Sequence, residues 1–275
     1  MASSLANTAK NVLLAASLTG AAAGVRATPA AAQTIASAAM KPTIVLVHGA
    51  FADASSWNGE VSLLQRDGFT VIAPPNPLRG IESDGKSVAA LLRTIKGPIV
   101  LVGHSYGGPV IDTAALGIPE VKALVFVSAY ALDKGETVAG LGMKFPTSQL
   151  TPAVLTQVPF STPTGRDADL YVNQAPFETI FASGLPESQS IIMQATQRPL
   201  AASALSEKAP EPAWKTIPSW AVLSDGDLVI PPDEQQFMYQ RAKSKITHVA
   251  AGHTALVSHP DIVVRVIEEA AASVR

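Results

Sequence analysis

Residues 99–108 read IVLVGHSYGG, and this stretch decides the fold. Ile99-Val100-Leu101-Val102 is a continuous apolar run rich in β-branched residues, as in a strand buried on both faces. It ends in Gly103-His104-Ser105-Tyr106-Gly107, a G-x-S-x-G, with Gly108 directly after. Pro109–Leu116 then reads as helix. Strand, sharp turn and helix are the context in which G-x-S-x-G becomes a nucleophile elbow. Such a turn brings backbone close to backbone, and Gly103 and Gly107 leave room for it. The pattern predicts a Ser105 hydroxyl presented at the carboxyl edge of a sheet. It also puts the Tyr106 N–H at a helix start, where it can stabilise an oxyanion.

The same alternation extends in both directions. Thr43–Val47 is an apolar run ending at His48-Gly49, and Phe69–Ala73 is another, halted by Pro74-Pro75. Ala123–Val127, Trp220–Leu223 and a weaker Ile246–Val249 complete the set. Between them, Trp57–Arg66, Ser87–Ile95, Pro232–Arg241 and Asp261–Ala272 carry apolar residues at helical spacing. Strands alternating with helices predict an α/β fold, about six mainly parallel strands flanked by helices. The alternation lapses between residues 133 and 215. That stretch has scattered prolines, among them Pro146, Pro159 and Pro176, and no clear strand. It is expected to form a mainly helical cap insertion. Its aromatic residues, Phe145, Phe160, Tyr171, Phe177, Phe181 and Trp214, either pack the cap or line a pocket for an apolar acyl or alcohol group.

A serine hydroxyl is a poor nucleophile near neutral pH and needs a base. In this architecture the partners follow in the order serine, acid, histidine. Of the five histidines, His48 and His104 precede the nucleophile in motif turns and His248 lies within a strand. His259 precedes Pro260 at a helix start. His253, after Ala251-Gly252 and just past the last strand, is the expected base. The acid should end the preceding strand, where Ser224-Asp225-Gly226-Asp227-Leu228-Val229-Ile230-Pro231 offers two candidates. Asp227, four residues before Pro231, is favoured. Asp225, nearer the strand, reads as a turn-forming residue before Gly226. The loop His48-Gly49-Ala50-Phe51 should donate the second oxyanion N–H, from Ala50 first and Phe51 next.

Composition excludes several classes. Hydrophobic residues are 47% of the 275 and charged residues 15%, so the chain is not intrinsically disordered. Twenty basic against 22 acidic residues leave no electrostatic footprint for nucleic acid. The absence of cysteine removes disulfides, thiolate metal sites and a cysteine nucleophile. There is no H-E-x-x-H, the histidine spacing does not suggest metal ligands, and no G-x-G-x-x-G follows a strand. Neither metal nor cofactor is expected. Lys10 precedes an Ala-rich apolar run, Val12–Val25, with small residues at Ala30-Ala31-Ala32. Residues 1–32 therefore read as a secretory signal and 33–41 as a linker to a domain over 42–275. Cleavage after Ala27 is a rival position. The run is shorter than the ~20 residues a membrane span needs. The expected location is periplasmic or secreted, the alternative being a cytoplasmic protein with a disordered tail.

Four motifs carry a family resemblance: VLVHGAFADASSW (45–57), VGHSYGG (102–108), SDGDLVIPP (224–232) and AGHTALVSHP (251–260). Together they resemble the α/β-hydrolase superfamily. More narrowly, the chain is similar to bacterial serine hydrolases of the branch that includes plant methyl-ester esterases and hydroxynitrile lyases. The resemblance runs from Pro42 to the end and extends to Gln197-Arg198-Pro199 and Ala213-Trp214 within the insertion. It implies the α/β-hydrolase fold without the first two strands of larger relatives, a Ser105–Asp227–His253 triad and an Ala50/Tyr106 oxyanion pair. The implied activity is cleavage of carboxylic esters, with a small-molecule substrate and an acyl-enzyme. Serine at the elbow argues against dehalogenase and epoxide-hydrolase chemistry, which relatives run with aspartate there. The alternatives are a cofactor-free perhydrolase or lyase on the same triad, or a non-catalytic ligand-binding protein. Lyases of this branch need a lysine near the site, and none of Lys208, Lys215 or Lys243 sits at a defined position for that role.

Overall fold

The computed structural model describes residues 40–163 and 165–274. The predicted signal segment 1–32 and linker residues 33–39 lie outside the described residues. The strands among the described residues are β1 (Thr43–Val47), β2 (Val71–Ile72), β3 (Ile99–His104), β4 (Val121–Val127), β5 (Leu155–Thr162), β6 (Gly165–Val172), β7 (Leu200–Ala201), β8 (Ser219–Ser224) and β9 (Lys245–Val249). Six of them form one sheet in the order β2-β1-β3-β4-β8-β9. Every neighbouring pair in it is parallel, with Val45 opposite Leu101 and Leu101 opposite Leu124.

Strand periodicity divides the core into two layers. Val45, Val47, Leu101, Leu124 and Phe126 face one side. There they meet α2 (Ile81–Leu92), α3 (Gly107–Ala115) and the helix Pro232–Arg241 through Val88, Ile111 and Met238. Ile44, Leu46, Val100, Val102 and Val125 face the other side. That side is covered by α1 (Asn58–Arg66) and the helix Pro260–Ser273 through Leu64, Val263 and Ile267. Burying one such aliphatic side chain contributes roughly 1.5–3 kcal/mol, so the central strands are a rigid base for the loops at their ends. The order places β1 between β2 and β3, so the chain steps from β1 to β2 on one side and then crosses back past β1 to β3. Loops at the carboxyl ends of the strands around such a point form the crevice of an open α/β sheet.

Helix α2 begins at Ile81, six residues before the expected Ser87. Its first turn holds Glu82, Ser83 and Asp84, which hide the apolar period. The Glu207 carboxylate accepts hydrogen bonds from the Ile81 and Glu82 N–H groups, at 2.6 and 2.9 Å, and anchors this start.

The expectation that the cap insertion over 133–215 has no clear strand needs correction. The insertion contains α4 (Val138–Lys144), the helix Glu187–Thr196 and a π-helical turn, Phe177–Phe181. It also contains a three-stranded antiparallel sheet, β5-β6-β7. Strand β5 lies at the edge of that sheet and is mostly exposed, so its sequence lacks the apolar run of a core strand. Pro159 is tolerated there because an edge strand has N–H positions that need no partner.

Candidate active site

Ser105 sits between β3 and α3 at φ 54°, a left-handed conformation costly for a residue with a side chain. Its surroundings hold it there. The Ser105 N–H donates to the Val127 carbonyl at 3.3 Å, and the Ser105 carbonyl accepts from the Gly108 and Tyr130 N–H groups at 3.0 and 3.2 Å. A methyl group at Gly103 would lie 2.6 Å from the Gly107 carbonyl oxygen, and one at Gly107 would lie 2.6 Å from that of Val47. Phe51, Leu78 and Ser128 share the positive φ, on the loops after β1, β2 and β4. Backbone strain is therefore concentrated along the carboxyl edge of the sheet.

His253 lies on the loop after β9 and Asp227 on the loop after β8. His253 Nε2 is 2.9 Å from Ser105 Oγ, and His253 Nδ1 is 2.8 Å from Asp227 Oδ2. All three side chains are buried. Asp227 Oδ1 accepts from the Val229 and Ile230 N–H groups at 2.8 and 3.0 Å. Its Oδ2 accepts a further bond, at 2.8 Å, from Gln235 Nε2. Gln235 is fixed in turn, donating to the Ile230 carbonyl at 2.7 Å and accepting from the Ser224 N–H at 3.2 Å. An acid surrounded by donors acts as a carboxylate, so His253 carries its proton on Nδ1 and leaves Nε2 as an acceptor toward Ser105. The structure thus brings Ser105, Asp227 and His253 together. Asp225 is instead half exposed and bonds His248 Nδ1 at 2.7 Å. His259 bonds its neighbour Ser258 at a helix start.

His104, read from the sequence only as part of the turn, supports His253. Its Nε2–H donates to the His253 carbonyl at 3.0 Å and its ring lies 4.8 Å from the His253 ring. Burial, and then the neighbouring His253, hold its pKa well below the ordinary histidine value, so it is a neutral spacer. From the cap, Phe181 sets its ring against His253 at 5.2 Å, and Phe51 meets Phe181 edge-on at 5.9 Å.

Among the described residues, no protein acceptor takes the N–H of Ala50 or of Tyr106. Phe51 is removed as a donor, because its N–H is bonded to the Arg198 carbonyl at 3.0 Å. This contact comes from the cap, and a main-chain acceptor leaves no mark in the sequence. His48 steadies the same loop. Its Nε2 accepts from the Asn76 N–H at 2.9 Å, so its Nδ1 carries the proton and donates to the Gly49 carbonyl at 2.9 Å. Burial lowers its pKa and keeps the ring neutral. The Tyr106 hydroxyl donates to Asp84 Oδ2 at 3.1 Å, and burial together with that carboxylate holds the phenol protonated. Among the described residues, no group of three His, Asp or Glu is arranged to hold a metal ion, and no helix is long and apolar enough to cross a membrane. Lys215 is occupied by Asp133 and Glu211.

The family profile described as alpha/beta hydrolase matches residues 44–266, and the chain belongs to that family. It is an enzyme of the serine-hydrolase type. It is 27% identical over 263 residues to "Alpha/beta hydrolase nvfD" of Aspergillus novofumigatus (strain IBT 16806), a match covering 84% of this chain and 97% of that protein. Among solved structures it is similar to polyneuridine aldehyde esterase, with a TM-score of 0.70, 19% identity and coverage of 84% of this chain and 99% of the other. A methylesterase from Arabidopsis gives a TM-score of 0.70 at 16% identity, covering 84% of this chain and 99% of the other. At these identities the structural likeness shows the fold.

Proposed function

We propose that the protein hydrolyses carboxylic esters of small molecules through an acyl-enzyme on Ser105. The observation that carries this reading is the His253 ring, spanning Ser105 Oγ at 2.9 Å and Asp227 Oδ2 at 2.8 Å. Ser105 Oγ attacks the ester carbonyl while His253 Nε2 takes its proton. The new oxyanion settles between the Ala50 and Tyr106 N–H groups, where fixed donors stabilise developing charge without reorganisation. His253 hands the proton to the leaving alcohol. A water molecule, deprotonated by the same ring, then releases the acid. Asp227 orients the ring and stabilises its cationic form. Phe51 and Phe181 beside the base favour an apolar acyl or alcohol group. The esterase names of two structural neighbours support ester cleavage, and no step calls on a metal or cofactor.

A p-nitrophenyl ester chain-length series together with fluorophosphonate labelling tests the reading. Wild type should turn over short esters and label once per chain. Ser105→Ala should fold normally and lose both activities, with kcat down by several orders of magnitude. Retention of more than about a tenth of wild-type kcat overturns the mechanism. We also propose that residues 1–32 direct export. Intact-mass analysis of native protein checks this, and a cytosolic species retaining Met1 refutes it.

A further inference from the structure

The cap segment 198–201, which ends in β7, does more than cover the site. Besides the Arg198 carbonyl on the Phe51 N–H, the Ala201 N–H donates to the Leu78 carbonyl at 3.0 Å. Ala201 lies opposite Asp169 in the cap sheet. Asp169 Oδ1 takes Arg79 Nη1 at 2.6 Å, and the same guanidinium donates through Nη2 to the Pro199 carbonyl at 3.2 Å. Arg79 Nε donates to the Pro77 carbonyl at 3.2 Å, bracing the side chain against its own loop. The Arg79 main-chain N–H lies 3.1 Å from both oxygens of Asp84, the carboxylate that accepts the Tyr106 hydroxyl. One cap segment is therefore tied to both loops with a free N–H at the elbow. It reaches the Ala50 loop through Phe51 and the Tyr106 side chain through Arg79 and Asp84.

We propose that Arg79 is a positioning residue for the reaction, a clasp by which the cap segment 198–201 sets both walls of the oxyanion hole. The inference rests on the ester-hydrolase reading above. The chemistry suits arginine, whose planar fork of donors can hold a carboxylate and main-chain carbonyls at fixed angles. A lysine offers a point charge without that geometry. The Arg79 and Asp169 side chains are 39% and 24% exposed, so the pair contributes little to stability. Its effect is geometric. Oxyanion donors act at about 2.7–3.1 Å, and small displacements from productive geometry slow the chemical step.

The test uses Arg79→Met, Arg79→Lys and Asp169→Asn in the full chain. For each, kcat and KM are measured on p-nitrophenyl acetate, together with the inhibition constant of phenylboronic acid, whose tetrahedral serine adduct occupies the hole. Thermal unfolding is followed in parallel. Arg79→Met and Asp169→Asn should each lower kcat by about tenfold and weaken the boronate by a similar factor, with KM within about twofold. Arg79→Lys should recover part of the loss, and the double variant should be no worse than Arg79→Met. Unfolding midpoints should stay near wild type. Unchanged kcat and boronate affinity overturn the clasp. So does an activity loss that follows the unfolding midpoint while boronate affinity holds. If Arg79→Met does not fold, Asp169→Asn carries the same comparison from the cap side. Wild type that neither cleaves esters nor binds the boronate overturns the hydrolase reading and the clasp with it. Active wild type with indifferent variants overturns the clasp alone.

Discussion

Two aspartate–histidine pairs join the loop after β8 to β9 and the loop that follows it. Asp225 meets His248 at 2.7 Å and Asp227 meets His253 at 2.8 Å. Distance does not tell them apart, but their surroundings do. The Asp225 and His248 side chains are 50% and 55% exposed, whereas those of Asp227 and His253 are both at 0%. Asp227 takes three further hydrogen bonds from Val229, Ile230 and Gln235. His253 is backed by His104 and capped by Phe181. Water screens the outer pair, while fixed dipoles orient the inner one, and a hydrogen bond away from water is electrostatically stronger. Enclosure and full satisfaction of the acid therefore set the inner Asp–His contact apart from the outer one, and the two aspartates are only two residues apart in sequence.

The comparison breaks most readily at Asp227. Asp227→Asn should lower kcat by roughly 10⁴, because the amide cannot stabilise the imidazolium and favours the wrong tautomer. Steady-state kinetics on a p-nitrophenyl ester, set beside the same change at Asp225, check it. If Asp225→Asn gives the larger loss, the roles assigned to the two pairs are reversed.

Glu234 sharpens the electrostatic side of the contrast. It is 1% exposed and its Oε1 has no hydrogen-bond partner among the described residues. Burial first, then the charges of Asp233, Asp227 and Glu136, push its pKa up to about 8 from 4.5. The folded protein therefore binds a proton that the unfolded chain releases near pH 4.5. The stability this confers is complete below that pH and is lost as pH rises to about 8. Glu234→Gln has no such loss. Its stability relative to wild type should grow across that window, by a few kcal/mol at most, and level off above it. Unfolding midpoints of both proteins across the window decide the matter. A difference that does not change with pH means that Glu234 is already ionised in the fold.

How much of this was legible in sequence follows the same division between buried and exposed. The strands around Leu46, Leu101, Val125 and Val222 are apolar on both faces, and such runs have few other readings. The elbow was legible because a strained turn between strand and helix demands Gly103 and Gly107. The cap hairpin was not, because β5 meets solvent over most of its length and breaks its pattern at Pro159. The Arg198–Phe51 bond was not legible either, because a carbonyl is the same in every residue. Gln235 was within reach. It is a polar residue in the first turn of a helix that opens Pro232-Asp233-Glu234, yet it is fully buried, where it bonds Asp227, the Ile230 carbonyl and the Ser224 N–H.

Gln235 gives the next smaller effect. Gln235→Leu keeps the bulk but strips one donor from Asp227 and the acceptor from the Ser224 N–H. Leaving those groups unsatisfied should cost about 1–3 kcal/mol of stability, read from urea unfolding. With the carboxylate freer to turn, kcat should fall roughly tenfold at little change in KM. A variant as active as wild type would show that the two main-chain donors alone fix the acid.

The smallest effect belongs to the outer pair, and its smallness is the test. Asp225 and His248 are both solvated, so their attraction is screened and holding two side chains together costs entropy. Asp225→Asn also keeps an oxygen that can accept from His248, and the Asp225 main-chain bond to the Val249 carbonyl is untouched. Stability should change by less than about 0.5 kcal/mol, and by still less in high salt as screening removes the remainder. On p-nitrophenyl esters kcat should stay within about twofold of wild type, since the substitution touches no group bonded to His253. Urea unfolding at low and high salt, run beside the kinetics, measures both. A stability loss approaching that of Gln235→Leu would mean that solvation does not set these two pairs apart, and the explanation for Asp227 would then rest on its hydrogen bonds alone.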